Sequence, residues 1–289
     1  INDLGDVNTN AHLTRYDTYY LKVAQLIEQL FGLLDNELHK DIKPKYKGDY
    51  ITGPKLNLRK AMSMEETGDT DIWLRRARPT KRSFTFTLVL DESGSMGGGK
   101  SDKSENALRG AVLVQEVLSR LGIDFSILGY SDDPTTHKKF EQRFEHMDKN
   151  LLINEMIGAL DRGRGNNEVT VLRQAIEQID NTNGETKTII FFTDGQACTD
   201  CSETELRELL VLAEKRHIYV IGIGIGRDAT FVENWFKPAI YVPDVEDLPK
   251  VLSKVLLDII VNKKPASEIK LNDFSKDQRL SAGETGTGT

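Results

Sequence analysis

The 289-residue sequence predicts an α/β fold: a doubly wound, mostly parallel sheet flanked by helices, behind an N-terminal helical and extended lead-in. Two observations predict it. Four short apolar runs are rich in β-branched or aromatic residues and nearly unbroken by polar ones, as expected of strands covered on both faces. Segments of helical periodicity lie between them, and strands alternating with helices imply βαβ units and a parallel sheet.

The elements follow in order. Tyr16 to Leu34 places Tyr20, Val23, Ala24, Ile27, Leu30, Phe31 and Leu34 on one side of an amphipathic helix. A Lys- and Gly-bearing stretch, Pro44 to Pro54, and a strongly basic arm, Trp73 to Arg82, lead to the first apolar run, Phe84 to Leu90. The arm carries Arg75, Arg76, Arg78, Lys81 and Arg82. These could contact RNA or an acidic partner, and pairing with the chain's own carboxylates is the favoured reading. A helix from Ser104 to Leu121 repeats Leu108, Ala111, Val112, Gln115 and Leu118, with Asp102 and Glu105 as a candidate capping box. The second run is Ile123 to Tyr130, and a polar edge strand is expected over Lys138 to Phe144. Helices over Leu151–Leu160 and Val171–Ile179 flank the loop RGRGNN. The remaining runs are Thr188 to Phe192 and Ile218 to Ile225, with helices over Ser202–Arg216 and Asp244–Val261. The chain thus divides into a lead-in over 1–82, an α/β domain over 83–262, and a tail over 263–289 that is predicted to be disordered.

Charge and cysteine content exclude several function classes. The net charge of −7 argues against generic nucleic-acid binding, which favours a basic domain. No apolar run approaches the roughly 18 residues that suggest a membrane span. Two cysteines cannot form a disulfide framework, and no signal peptide is evident, so an intracellular, cytoplasmic setting is expected. The first residue is Ile1 rather than Met, which suggests a fragment or processed piece.

The chemistry concentrates where strands end. The first run passes directly into Asp91-Glu92-Ser93-Gly94-Ser95. Ligands of open parallel sheets bind beyond the carboxyl ends of strands, and alternate spacing lets oxygens of Asp91, Ser93 and Ser95 approach one centre. The run ending at Phe192 leads into Thr193-Asp194-Gly195, which brings a second carboxylate, Asp194, to the same edge. Thr170, at the start of the helix after RGRGNN, is a third contributor. Hard oxygen donors without His or Cys favour Mg²⁺ or Mn²⁺ over Zn²⁺. Glu92, between the ligands, is expected to face solvent or to support the site.

The D-x-S-x-S, the later Thr and the T-D-G resemble the metal-ion-dependent adhesion site (MIDAS) of von Willebrand factor A domains. Thr170 is assigned by register, because Ala175 and Ile176 stand where that family carries an Ala-Leu-type pair. The resemblance implies that Ser93, Ser95 and Thr170 bind the cation directly, while Asp91 and Asp194 act mainly through water. It also implies that the open position accepts an acidic side chain of a protein partner. Lys47 to Met62 and Asp71 to Arg82 are similar to the approach to the adhesion-site domain of the midasin family, AAA+ ATPases of ribosome assembly. The stretch from IGIGIGRDATF to the last helix is similar to aerobic cobaltochelatase T subunits, which also work with an AAA+ partner. The implied role is a non-catalytic binding module serving an AAA+ ATPase in the same chain or another, with a ubiquitin-like domain as client and a nuclear setting for a eukaryotic midasin; the alternative is a cobaltochelatase-type metal-insertion subunit.

Rival readings share these residues. Gly94 to Ser101 fits G-x-x-x-x-G-K-[ST], a phosphate loop in which Lys100 and Ser101 would serve an NTPase. That reading leaves Ser93 and Thr170 unexplained. Asp and Ser are also ordinary cap and turn residues. Cys198 and Cys201 form half a zinc site and read as reduced thiols, with a redox switch as the alternative. His137, His146 and His217 are expected at the surface or a strand edge, and Gly222, Gly224 and Gly226 lack dinucleotide-binding spacing.

Overall fold

The computed structural model describes residues 13–40, 46–76, 83–97, 102–163, 165–193, 203–225, 232–242 and 244–260, without the side chains of 37–40, 47, 76, 225 and 260. Contacts divide the chain into two units, Leu34–Arg82 and the remainder.

The larger unit is built on a six-stranded sheet of order β6-β5-β4-β7-β8-β9. The strands are β4 (Phe84–Asp91), β5 (Asp124–Tyr130), β6 (Pro134–Lys138), β7 (Thr186–Phe192), β8 (Ile218–Ile225) and β9 (Ala239–Val242). All pairings are parallel except β5 with β6. The four apolar runs are the four inner strands. In β4 every residue after Phe84 is buried, because helices cover both faces. Leu88 sits in register between Ile127 and Ile190, and all three are fully buried.

The edge strand lies earlier than the polar pattern suggests. Pro134–Lys138 pairs with β5, and Lys138 is its last residue rather than its first. The β-branched Thr135 and Thr136 suit the pleat, whereas a turn follows, closed by Gln142 N donating to Lys139 O.

Helix α4 (Asp102–Arg120) follows β4. Twelve of its nineteen residues are buried, including Gln115 and Glu116, more than one amphipathic face supplies. The first turns of α1 (Arg15–Lys40) explain the excess. Tyr16 OH donates to Glu116 Oε1 at 2.6 Å, Gln115 Nε2 donates to Tyr16 OH at 3.2 Å, and Arg120 Nη2 donates to Tyr20 OH at 2.8 Å. Ion pairs Lys22–Glu105 and Arg120–Glu28 flank them. Asp102 is already helical and so is not a cap; Glu105 serves the ion pair. Helices α5 (Lys149–Arg162), α6 (Glu168–Asp180), α7 (Glu203–Lys215), the short α8 (Val232–Trp235) and α9 (Leu248–Ile260) complete the unit. Asp148 caps α5, accepting from the amides of Asn150 and Leu151. The last helix opens with a separate 3-10 turn at Val245–Asp247 before α9 begins at Leu248.

The smaller unit is an antiparallel sheet that the sequence reading represents only as extended chain. Its strands β1 (Tyr46–Tyr50), β2 (Lys55–Leu56) and β3 (Trp73–Arg76) are ordered β1-β3-β2. The start of the basic arm is therefore the central strand. Arg75 stacks on Tyr50 at 4.6 Å and donates to Thr52 O at 3.0 Å, while the side chains of Arg76, Arg78, Lys81 and Arg82 lie outside the described residues. Helices α2 (Leu58–Met62) and α3 (Met64–Thr67) bury no residue.

Candidate metal site at the carboxyl edge of the sheet

The chain leaves β4 to build β5 on one side and later returns to build β7 on the other, so the strand order reverses at β4. A crevice opens at such a switch point beyond the strand's carboxyl end, and Asp91 is the last residue of β4. Its side chain is buried, 1% exposed. Oδ1 accepts from Ser93 N and Oδ2 from Thr193 Oγ1, each at 2.9 Å. Tyr130 OH donates to Thr193 Oγ1 at 3.4 Å. Burial first, then the charges of Asp91 and Glu168, push the Tyr130 phenol well above its usual range, so it stays a neutral donor.

Past Asp91 the backbone is extended through Ser93 and turns through a 3-10 segment, Gly94–Met96. Gly97 closes the turn at φ +74°, a left-handed conformation that suits glycine. Met96, 2% exposed, anchors the loop in the core. The outcome is that Ser93 Oγ and Ser95 Oγ lie 2.8 Å apart.

Glu92 points the other way, and of its two expected places, in solvent or in support of the site, the first does not hold. It is 2% exposed. Thr135 Oγ1 donates to its Oε2 at 2.8 Å, and His137 Nε2 lies 2.5 Å from its Oε1. His137 does sit on an edge strand, but its side chain is only 5% exposed, because the carboxylate draws it beneath the loop.

Thr170 lies in the first turn of α6 and is exposed. Its hydroxyl donates to Asn167 Oδ1 at 2.8 Å, and its amide to the same oxygen at 3.1 Å, making Asn167 the helix cap. Asn167 N donates to Ser131 O at 2.9 Å, which ties this loop to the end of β5. The structure therefore gathers Asp91, Ser93 and Ser95 and puts the Thr170 hydroxyl on a neighbouring cap. Asp194 lies outside the described residues, immediately after Thr193. Lys100, Ser101, Cys198, Cys201 and Gly226 lie outside them as well.

A sequence profile of the von Willebrand factor type A domain matches residues 86–234, more than half of the chain. The chain belongs to the von Willebrand factor type A family. It is similar to midasin from Dictyostelium discoideum, 28% identical over 130 residues, covering 43% of this chain and 2% of that protein. Midasin from Giardia intestinalis is 40% identical over 73 residues, covering 25% and 1% respectively. The uncharacterized protein YojO of Bacillus subtilis is 27% identical over 262 residues, covering 84% of this chain and 39% of that one. The chain thus spans well under half the length of these relatives. Among solved structures, BatB from Bacteroides thetaiotaomicron aligns with TM-score 0.47 at 15% identity over 63% of this chain and 100% of that one. A mussel byssus thread matrix protein with a zinc-occupied MIDAS motif aligns with TM-score 0.42 at 19% identity, covering 62% and 48%.

Von Willebrand factor type A domains raise the question of a divalent cation, and the donor chemistry here fits one. Octahedral Mg²⁺ with oxygens at roughly 2.1 Å has neighbouring ligands roughly 3 Å apart. The two serine hydroxyls already stand at 2.8 Å, close to that spacing. Among the described residues no group of three or more His, Cys, Asp or Glu side chains converges, so the candidate set is hydroxyl and carboxylate oxygen.

Sequence reasoning missed Thr193, Tyr130, Asn167 and the Glu92–Thr135–His137 cluster as parts of this edge. The spacing of Asn167 to Thr170, an Asx residue three before a Thr, was a usable cap signal. The Glu92 cluster had none, because it joins residues 43 to 45 positions apart across two strands.

Proposed function

We propose that this chain is a metal-dependent protein-binding module, without catalytic residues, that grips an acidic side chain of its partner. Ser93, Ser95 and Thr170 would hold Mg²⁺ or Mn²⁺ directly, with Asp91 and Asp194 acting mainly through water. Bound there, the cation supplies a Lewis-acidic position for one carboxylate oxygen. The chain's part is to present hydroxyl donors, to balance the ion's charge with two carboxylates, and to keep Asp91 in place through Ser93 N and Thr193 Oγ1. One observation carries the reading: two serine hydroxyls converge beside a buried aspartate at the switch point of the sheet.

Similarity to midasin supports an AAA+ ATPase, in the same chain or another, as the motor this module serves, with an acidic loop of a ubiquitin-like domain as the client. The same similarity supports complex remodelling inside the cell, in ribosome assembly or a related chaperone-like process.

The test is Mn²⁺ titration followed by electron paramagnetic resonance, with Asp91→Ala alongside. The expected result is one bound Mn²⁺ in the unaltered chain, displaced by Mg²⁺ and EDTA and lost in Asp91→Ala, with the circular dichroism unchanged. Equal Mn²⁺ binding by both chains overturns the site. ATP binding that disappears in Lys100→Ala would replace it with the phosphate-loop reading.

A further inference from the structure

We infer that Glu92 is a positioning residue for the cation loop, tethering it from behind to the β5–β6 edge hairpin. The inference rests on the metal-binding reading above and gives a definite task to a residue for which that reading left facing solvent and supporting the site both open. In D-E-S, alternation sends the Asp91 and Ser93 side chains to one side and the Glu92 side chain to the other. There it meets Thr135 and His137 of β6 at 2.8 and 2.5 Å, while its amide donates to Tyr130 O of β5 at 2.8 Å. Backbone and side chain of one residue thus bind both strands of the hairpin.

The surroundings leave no slack. A Cβ at position 129 would lie 2.2 Å from the Glu92 carboxyl carbon, so the carboxylate occupies the space that Gly129 leaves open. A Cβ at position 163 would lie 1.5 Å from Glu92 O, so the loop toward α6 is pressed against the same peptide. The loop that carries Ser93 and Ser95 and the loop that leads to Thr170 therefore both reference one buried residue. A carboxylate that is buried needs its hydrogen bonds satisfied, and the observed loop position satisfies both of these. Partners that orient ligands from behind are typically worth about 10–100-fold in metal affinity.

The experiment compares Mn²⁺ dissociation constants for Glu92→Ala, Glu92→Gln and Gly129→Ala with the unaltered chain, plus amide hydrogen exchange over 93–97 in metal-free samples. Tethering predicts at least about tenfold weaker Mn²⁺ binding in Glu92→Ala and faster exchange in the loop. Glu92→Gln, which keeps the shape and hydrogen-bonding capacity without the charge, is expected to stay within threefold. Gly129→Ala, which keeps Glu92 but fills its space, is expected to mimic Glu92→Ala, and it carries the test if Glu92→Ala does not fold. Equal losses in the Gln and Ala variants would mean that Glu92 acts through its charge and would overturn the tether, as would undiminished affinity in both Glu92→Ala and Gly129→Ala. Failure of the unaltered chain to bind Mn²⁺ overturns the metal reading itself, an outcome distinct from these.

Discussion

Lys138 offers a quantitative test of how the edge hairpin is built. A register shift breaks the alternation of β6 at His137 and Lys138, and Lys138 lies against Phe125 on the sheet face that also carries Gly129. There Lys138 is 2% exposed. Its ammonium donates to Phe125 O at 2.5 Å and Lys139 O at 3.2 Å, and lies 4.4 Å from the Phe125 ring. Burial lowers its pKa from 10.5 to about 8, against the opposing pull of Asp124, Glu145 and Glu141. At ~1.4 kcal/mol per pH unit, the folded state disfavours this proton by about 3 kcal/mol. The sign follows from linkage. Below pH 8 both folded and unfolded chains hold the proton and the penalty is complete. Between about 8 and 10.5 the unfolded chain holds more protons, so stability rises with pH, and above 10.5 the penalty is gone. Lys138→Met removes the titration, together with two hydrogen bonds whose loss sets an offset between the two proteins. The unaltered chain should therefore gain about 3 kcal/mol on the variant between about pH 7 and 10.5. Urea denaturation at several pH values measures it. Tyrosines and carboxylates common to both proteins cancel in the difference. A difference that stays constant from pH 7 to 10.5 refutes the argument.

Other expectations are shorter. Tyr16→Phe removes the donor to buried Glu116 and the acceptor of Gln115, so chemical denaturation should show a loss of about 1–3 kcal/mol. His217 closes the turn after α7 at φ +57°; His217→Gly should stabilise by roughly 0.5–1 kcal/mol in thermal melts, the left-handed strain relieved exceeding the added chain entropy. Gly163→Ala drives a methyl group into Glu92 O and should cost about 3 kcal/mol and weaken Mn²⁺ binding at the same time. Thr170→Val should weaken Mn²⁺ binding at least tenfold if the hydroxyl leaves Asn167 for the cation, and unchanged Mn²⁺ affinity would return Thr170 to its capping role alone.

The parts of the fold legible in the sequence are those with local causes. The inner strands are readable because burial on both faces leaves no room for polar residues, as in the unbroken β4. Asp91, Ser93 and Ser95 are readable because their convergence needs only a strand end and a tight turn. Less of the rest is local. Gln115 stands within the apolar stripe of α4 and Glu116 beside it, and only α1, some hundred residues earlier, supplies their buried partner Tyr16. The small sheet of β1, β2 and β3 has strands of two to five residues, too short for periodicity to register. Its central strand, WLRR, shows a charge pattern that suggests an exposed arm.

The charge of −7 bears on the site less through its sum than through its placement. Asp91 and Glu92 are adjacent carboxylates, both buried, and chain alternation sends them to opposite sides of one loop. Asp91 accepts from a backbone amide and a threonine hydroxyl. Glu92 takes a threonine and a histidine in a space closed by Gly129. The first arrangement fixes a buried carboxylate at the root of the loop that carries the serine hydroxyls. The second uses hydrogen bonds to fix the loop that presents those hydroxyls. Exchanging the two residue types would preserve the composition and destroy this division. Glutamate at 91 is one methylene longer and would carry its oxygens past Ser93 N and Thr193, while aspartate at 92 would stop short of β6.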